Sequence, residues 1–123
     1  MNNWIPVVEA LISAFNTRDI DAIMSFFTVD AVYHNMPTGP AKGTEAVRNV
    51  ISMFIQPAED VKWDILNIAQ VGDTVLTERL DNFVIKGKPV ALPVMGAFEI
   101  RDGKIAAWRD YFDFATWQKQ NPR

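Results

Sequence analysis

An α+β fold, with a sheet curled over three helices, is what this chain predicts, and two features predict it. The first half places apolar residues at helical spacing, while the second half, from Val61 onward, reads as extended runs divided by glycine-bearing turns. Amphipathic helices followed by a strand meander bury both sets of apolar faces when the sheet curls over the helices.

The elements follow in chain order. Val8, Leu11, Ile12 and Phe15 fall at i, i+3, i+4 and i+7 behind Pro6, a residue tolerated in a first helical turn, so a first helix is expected there. Asp19 can cap a short second helix carrying Ile20, Ile23, Met24 and Phe27. Gly43-Thr44 opens a third, with Val47, Val50, Ile51 and Phe54 on one stripe. Extended runs then cover about 61–71, 74–85, 89–100 and 104–113. The breaks at Gly72-Asp73, Lys86-Gly87-Lys88 and Asp102-Gly103 read as hairpin turns, and connections this short make neighbouring strands antiparallel. With no internal repeat, low-complexity tract or linker, the 123 residues are expected to form a single domain, 1–123.

Composition narrows the chemistry. Zero cysteines exclude thiol nucleophiles, disulfide frameworks and cysteine-zinc sites, and one histidine supplies no histidine cage for a metal. Catalysis would have to come from carboxylates, arginine, tyrosine and amides. With 12 Lys+Arg against 15 Asp+Glu and no basic run, the chain carries no electrostatic footprint for nucleic acid or an anionic membrane. No apolar stretch approaches the roughly 18 residues of a spanning helix, and the N-terminus lacks the pattern of a signal peptide, so a cytoplasmic location is expected.

The alternation of strand side chains shows which charges share a face. On 74–85 one face carries Val75, Thr77, Arg79, Asp81, Phe83 and Ile85. On the last run Asp110 sits with Ala106, Trp108 and Phe112, a carboxylate among aromatics. Between them, Val90, Leu92, Val94, Gly96, Phe98 and Ile100 form an apolar face that continues the side holding Asp110. From pattern alone Asp110 is equally a structural carboxylate, paired with arginine or set at a wet rim, and Arg79 with Asp81 reads equally as a surface pair. Tyr33 and Asn35 fall on one side of an extended Tyr33-His34-Asn35-Met36-Pro37 and can both hydrogen-bond a small polar guest, although Asn and Pro also favour turns. His34 points away from them.

Three motifs together resemble the limonene epoxide hydrolase family, whose cone-shaped α+β fold is shared with nuclear transport factor 2 and ketosteroid isomerase. They are Tyr33-His34-Asn35-Met36-Pro37, Glu78-Arg79-Leu80-Asp81 and Trp108-Arg109-Asp110-Tyr111-Phe112-Asp113, and the similarity runs over nearly the whole chain from the first helix. The resemblance implies a curved, mixed sheet packed against three to four helices and a catalytic triad of Arg79, Asp81 and Asp110. Tyr33 and Asn35 would hold the attacking water. It further implies one-step addition of water to an epoxide, giving a vicinal diol without covalent intermediate, metal or organic cofactor. Asp110 would be the base, Asp81 the acid and Arg79 the bridge between them. It also implies a homodimer across the outer face of the sheet.

Desolvation and like charge both raise one carboxyl pKa of such a pair, which suits a proton shared between base and acid. Candidate walls for a small cyclic or aryl epoxide are Ile12 and Phe15 from the first helix, Phe54 from the third, and Phe83, Leu92, Val94 and Phe112 from the sheet; all could equally be core. Two other readings stay open. One is an isomerase or cyclase resembling ketosteroid isomerase or the polyketide cyclases, and the other is a non-catalytic small-molecule-binding module.

Overall fold

The computed structural model describes residues 2–121. Helix α1 (Ile5–Thr17) buries Val8, Leu11, Ile12 and Phe15, the stripe its spacing predicts. It ends at Arg18, which adopts a left-handed backbone and donates from its guanidinium to the Ala58 carbonyl at 2.5 Å. Helix α2 (Ile20–Met24) is capped as expected, the Ala22 N–H donating to the Asp19 carboxylate at 3.1 Å. Phe27 does not belong to it. The Phe26 carbonyl accepts from the Ile105 N–H at 2.8 Å, which draws the chain into the sheet, and Phe27 opens strand β1 (Phe27–Asn35).

Strand β2 (Gly39–Lys42) folds back on β1 and leads to α3 (Thr44–Ile55), which buries Val47, Ile51 and Ile55. The meander is β3 (Ala58–Val71), β4 (Thr74–Ile85), β5 (Lys88–Arg101) and β6 (Lys104–Tyr111). At both Lys86-Gly87 (φ 50° and 74°) and Asp102-Gly103 (φ 53° and 78°) two successive residues have positive φ, the primed-turn backbone that matches strand twist. The last strand was expected to run to 113. It stops at Tyr111, and α4 (Phe114–Gln120) follows, pinned to β5 where the Gln120 amide donates to the Ala91 carbonyl (2.7 Å) and accepts from its N–H (2.9 Å).

The six strands order as β2-β1-β6-β5-β4-β3. β1 with β2, and each strand from β3 to β6 with the next, pair antiparallel, but β1 lies parallel to β6, a long-range pairing that no short turn announces. The inner face packs on α1 and α3, and the buried set of β4 is Val75, Thr77, Arg79, Asp81, Phe83 and Ile85, every second residue. Among the described residues no helix is long and apolar enough to cross a membrane.

Candidate active site

Register brings the polar residues together. Asn35 on β1 pairs with Asp110 on β6, Asp110 with Gly96 on β5, and Gly96 with Thr77 on β4, so the four form one row across the sheet. Arg79 stands one inward step along β4 from Thr77, and Asp81 one step further. Its guanidinium reaches Asp110 by passing over Gly96, where a Cβ would lie 2.5 Å from Arg79 Nη1 and 2.7 Å from Asp110 Oδ1. A glycine in the middle of an apolar strand marks such a close approach.

All five N–H donors of Arg79 are used. Nε donates to Asp81 Oδ1 (3.0 Å) and Nη2 to Asp81 Oδ2 (3.0 Å) and Asp110 Oδ2 (2.8 Å). Nη1 donates to Asp110 Oδ1 (3.1 Å) and to the Thr77 hydroxyl (3.1 Å). The cluster is dry: Arg79 is 1% exposed and both aspartates 3%. The surface-pair reading of Arg79 and Asp81 is therefore excluded. Rings of Trp63, Trp108 and Phe98 lie 5.2, 5.7 and 5.8 Å from the guanidinium carbon, so π faces complete the cation's surroundings.

One cation between two carboxylates leaves a negative charge to be disposed of in a low-dielectric site. Burial raises the Asp81 pKa from 3.8 to about 6, against the opposing pull of Arg79. Arg79 is disfavoured as a cation by burial, but Asp110 and Asp81 outweigh this and hold it protonated. Burial, helped by the Asp110 charge, lifts the Tyr33 phenol well above its usual value, so it remains a donor.

The carboxylates open onto a cavity lined also by Phe15, Tyr33, Asn35, Ile51, Phe54, Trp63, Phe83, Leu92, Val94 and Phe112. It leaves about 10 Å³ free to the centre of a water molecule, room for about one. Tyr33 and Asn35 share the inner face of β1 as their alternation predicts, both 3% exposed, with Tyr33 stacked on Trp108 at 4.2 Å. Six of the seven expected wall residues line the cavity. Ile12 does not: it is buried one turn back along α1, and the cavity meets that helix at Phe15, which stacks on Trp63 at 4.2 Å.

Ile51 and Trp63 complete the wall without having been singled out, as do Thr77 and Trp108 among the hydrogen-bonding partners. Trp63 lies directly across from Asp81 in the β3–β4 register, which only the pairing reveals. Trp108 had a legible signal, since its i, i+2 spacing puts it beside Asp110, and its indole N–H donates to Asp110 Oδ1 at 2.6 Å.

Over residues 2–123 the chain matches the family described as limonene-1,2-epoxide hydrolase catalytic domain. The chain belongs to this family. Epoxide hydrolase EphG of Mycobacterium tuberculosis is 34% identical over 106 residues, covering 86% of this chain and 70% of that protein. The solved structure of an LEH-like epoxide hydrolase from M. tuberculosis superposes with a TM-score of 0.83 at 32% identity, covering 95% of this chain and 87% of that one. A SnoaL-like protein of Shewanella denitrificans, 13% identical with a TM-score of 0.85 and 95% coverage of each chain, shows the shared fold alone. The limonene epoxide hydrolase family member described here thus has the NTF2- and SnoaL-like α+β fold expected of it.

Proposed function

We propose that this chain is a cofactor-independent epoxide hydrolase that adds water to a small apolar epoxide, of cyclic terpene-like or aryl type, to give a vicinal diol in one step. The observation that carries this reading is the buried Asp81–Arg79–Asp110 clasp opening onto an aromatic-walled cavity.

Asp110, ionised, takes a proton from a water held by Tyr33 and Asn35. The water oxygen forms a bond to an epoxide carbon as the carbon–oxygen bond breaks, and the departing oxygen takes the proton of Asp81. The diol leaves Asp110 protonated and Asp81 ionised, and one proton transfer restores the starting pair. The strained ring needs both the push and the pull, and an acid–base pair supplies them together. The acid role of Asp81 is supported by burial, which raises its pKa to about 6. Water and leaving oxygen are served from opposite flanks: Tyr33, Asn35 and Asp110 stand on β1 and β6, Asp81 on β4. Leu92 and Val94 of the intervening β5 keep the space between apolar. Of the wall, Phe54 and Phe112 are half-buried, so they form the side of the cavity that substrate would meet first.

The same reading takes the chain as one domain that forms a homodimer across its outer sheet face, where Leu66, Leu76, Met95 and Tyr111 stand 56, 40, 53 and 48% exposed.

Purified protein incubated with limonene, cyclohexene and styrene oxides is expected to release diols without added metal. Asp81→Asn and Asp110→Asn should each lose about 10³-fold in kcat, the scale of acid–base catalysis. Wild-type rates in either variant overturn the assignment. Untouched epoxides together with exchange of ketone α-protons in deuterated buffer would replace it by a carbon-acid isomerase.

A further inference from the structure

We propose that Trp108 is the residue that decides which aspartate of the clasp is the base, its indole N–H holding Asp110 in the ionised form so that the shared proton rests on Asp81. This rests on the epoxide hydrolase reading and deepens it.

Arg79 treats the two carboxylates alike, giving each a two-point fork of N–H donors at 2.8 to 3.1 Å. Both are equally dry. A guanidinium so placed favours ionisation of both and selects neither. The symmetry is broken by one further donor. Trp108 Nε1 lies 2.6 Å from Asp110 Oδ1, and among the described residues Asp81 has no donor beyond the two from Arg79. A hydrogen bond to the charged form of an acid favours that form, and in a dry site it is strong.

The indole is fixed in place. Trp108 is fully buried, stacked between Tyr33 at 4.2 Å and Phe98 at 4.9 Å, with the edge of Phe15 at 5.5 Å. Its N–H cannot turn to another acceptor. The contrast with Trp63 is direct, because that indole N–H, also buried, has no acceptor among the described residues. Among the described residues no other charge competes for Asp110. Arg79 and Asp81 face it from β4 and the neutral Tyr33 from β1, while β5 brings Gly96 and β3 brings Trp63. The helices contribute only Phe15, Ile51 and Phe54 to the cavity. Trp108 touches no reacting atom and is a positioning residue, acting through Asp110.

The test replaces Trp108 by β-(3-benzothienyl)alanine, the isostere with sulfur in place of N–H, alongside Trp108→Phe, in the full chain. Two readouts are taken: the pH dependence of cyclohexene oxide hydrolysis, and the titration of Asp110 and Asp81 by carboxyl-carbon NMR. Near-ultraviolet circular dichroism of the isostere should match wild type. Its Asp110 midpoint and the acidic limb of its rate profile should both rise by about one to two pH units, the worth of one hydrogen bond to a buried charge. Its kcat should fall about tenfold with KM unchanged. Because the two acids are coupled, the limb is read as a property of the pair. Unmoved midpoints in a folded isostere overturn the inference. Should the midpoints move while wild type hydrolyses no epoxide, the role of Trp108 stands and the function reading falls.

Discussion

Gly96 and Arg79 occupy each other's space: the side chain that glycine lacks is where the guanidinium passes on its way to Asp110. An added Cβ would meet Nη1 at 2.5 Å, Asp110 Oδ1 at 2.7 Å and the Thr77 hydroxyl at 2.9 Å, and Arg79 has no unused direction in which to retreat. Gly96→Ala is therefore expected to destabilise the fold by about 1–3 kcal/mol, as overpacking does, and to lower kcat about 10²-fold by parting Arg79 from Asp110. Urea unfolding and steady-state rates check this, and a variant matching wild type in both would show that the row tolerates a side chain.

The charge balance of the clasp gives a second expectation. Arg79→Gln leaves two buried carboxylates facing one another without a cation, and breaking a buried pair in this way costs about 3–5 kcal/mol. The loss should shrink as pH falls and the carboxylates take up protons. Denaturant melts at pH 7.5 and pH 5 measure both parts, and a loss independent of pH would contradict the electrostatic account.

Asp81 gives a pH dependence of defined sign. Burial holds it at about 6 in the folded chain, above its ordinary 3.8, even with Arg79 opposing. Between those values the folded state keeps a proton that the unfolded state has lost, so this group's contribution to stability falls as pH rises from about 3.8 to 6. Asp81→Asn has nothing to titrate there. The melting temperature of wild type minus that of Asp81→Asn should thus be larger at pH 4 than at pH 7.5. In the same frame kcat/KM should decline above about pH 6, where the acid loses its proton. A pH-independent difference in melting temperature would contradict the raised value.

The outer face of the sheet carries a fourth. Met95 stands 53% exposed beside Tyr111, its partner in the β5–β6 register. Met95→Glu is expected to turn a dimer into a monomer in size-exclusion light scattering while α1, α3 and the cavity stay folded. A wild-type chain that is already monomeric would remove the dimer proposal and leave the catalytic one intact.

Legibility in the sequence followed the range of the interactions. Helical stripes and hairpin turns are local, so α1, α3 and the antiparallel meander could be read directly, and alternation placed Thr77, Arg79 and Asp81 on one face of β4. Alternation alone does not say which face is inside. That depends on Asp110, 31 residues from Arg79, and on the parallel pairing that seats Asn35 beside Asp110. The helix after Asp113 was missed because Tyr111-Phe112-Asp113-Phe114 continues an extended pattern, and its anchor, Gln120 on Ala91, is again long-range. Trp108 could be read beside Asp110 from their i, i+2 spacing, but Gly96 was visible only as a residue type, and its part in the site appears only when three strands are laid side by side.

A single turnover in heavy-oxygen water, with enzyme in excess over styrene oxide, tests the central claim most directly. The account predicts that the diol formed in that first turnover carries the label and that no aspartate does. Unlabelled diol, with heavy oxygen appearing in Asp110 or Asp81 instead, would mean that a carboxylate attacks the ring, and would contradict direct addition of water by the clasped pair.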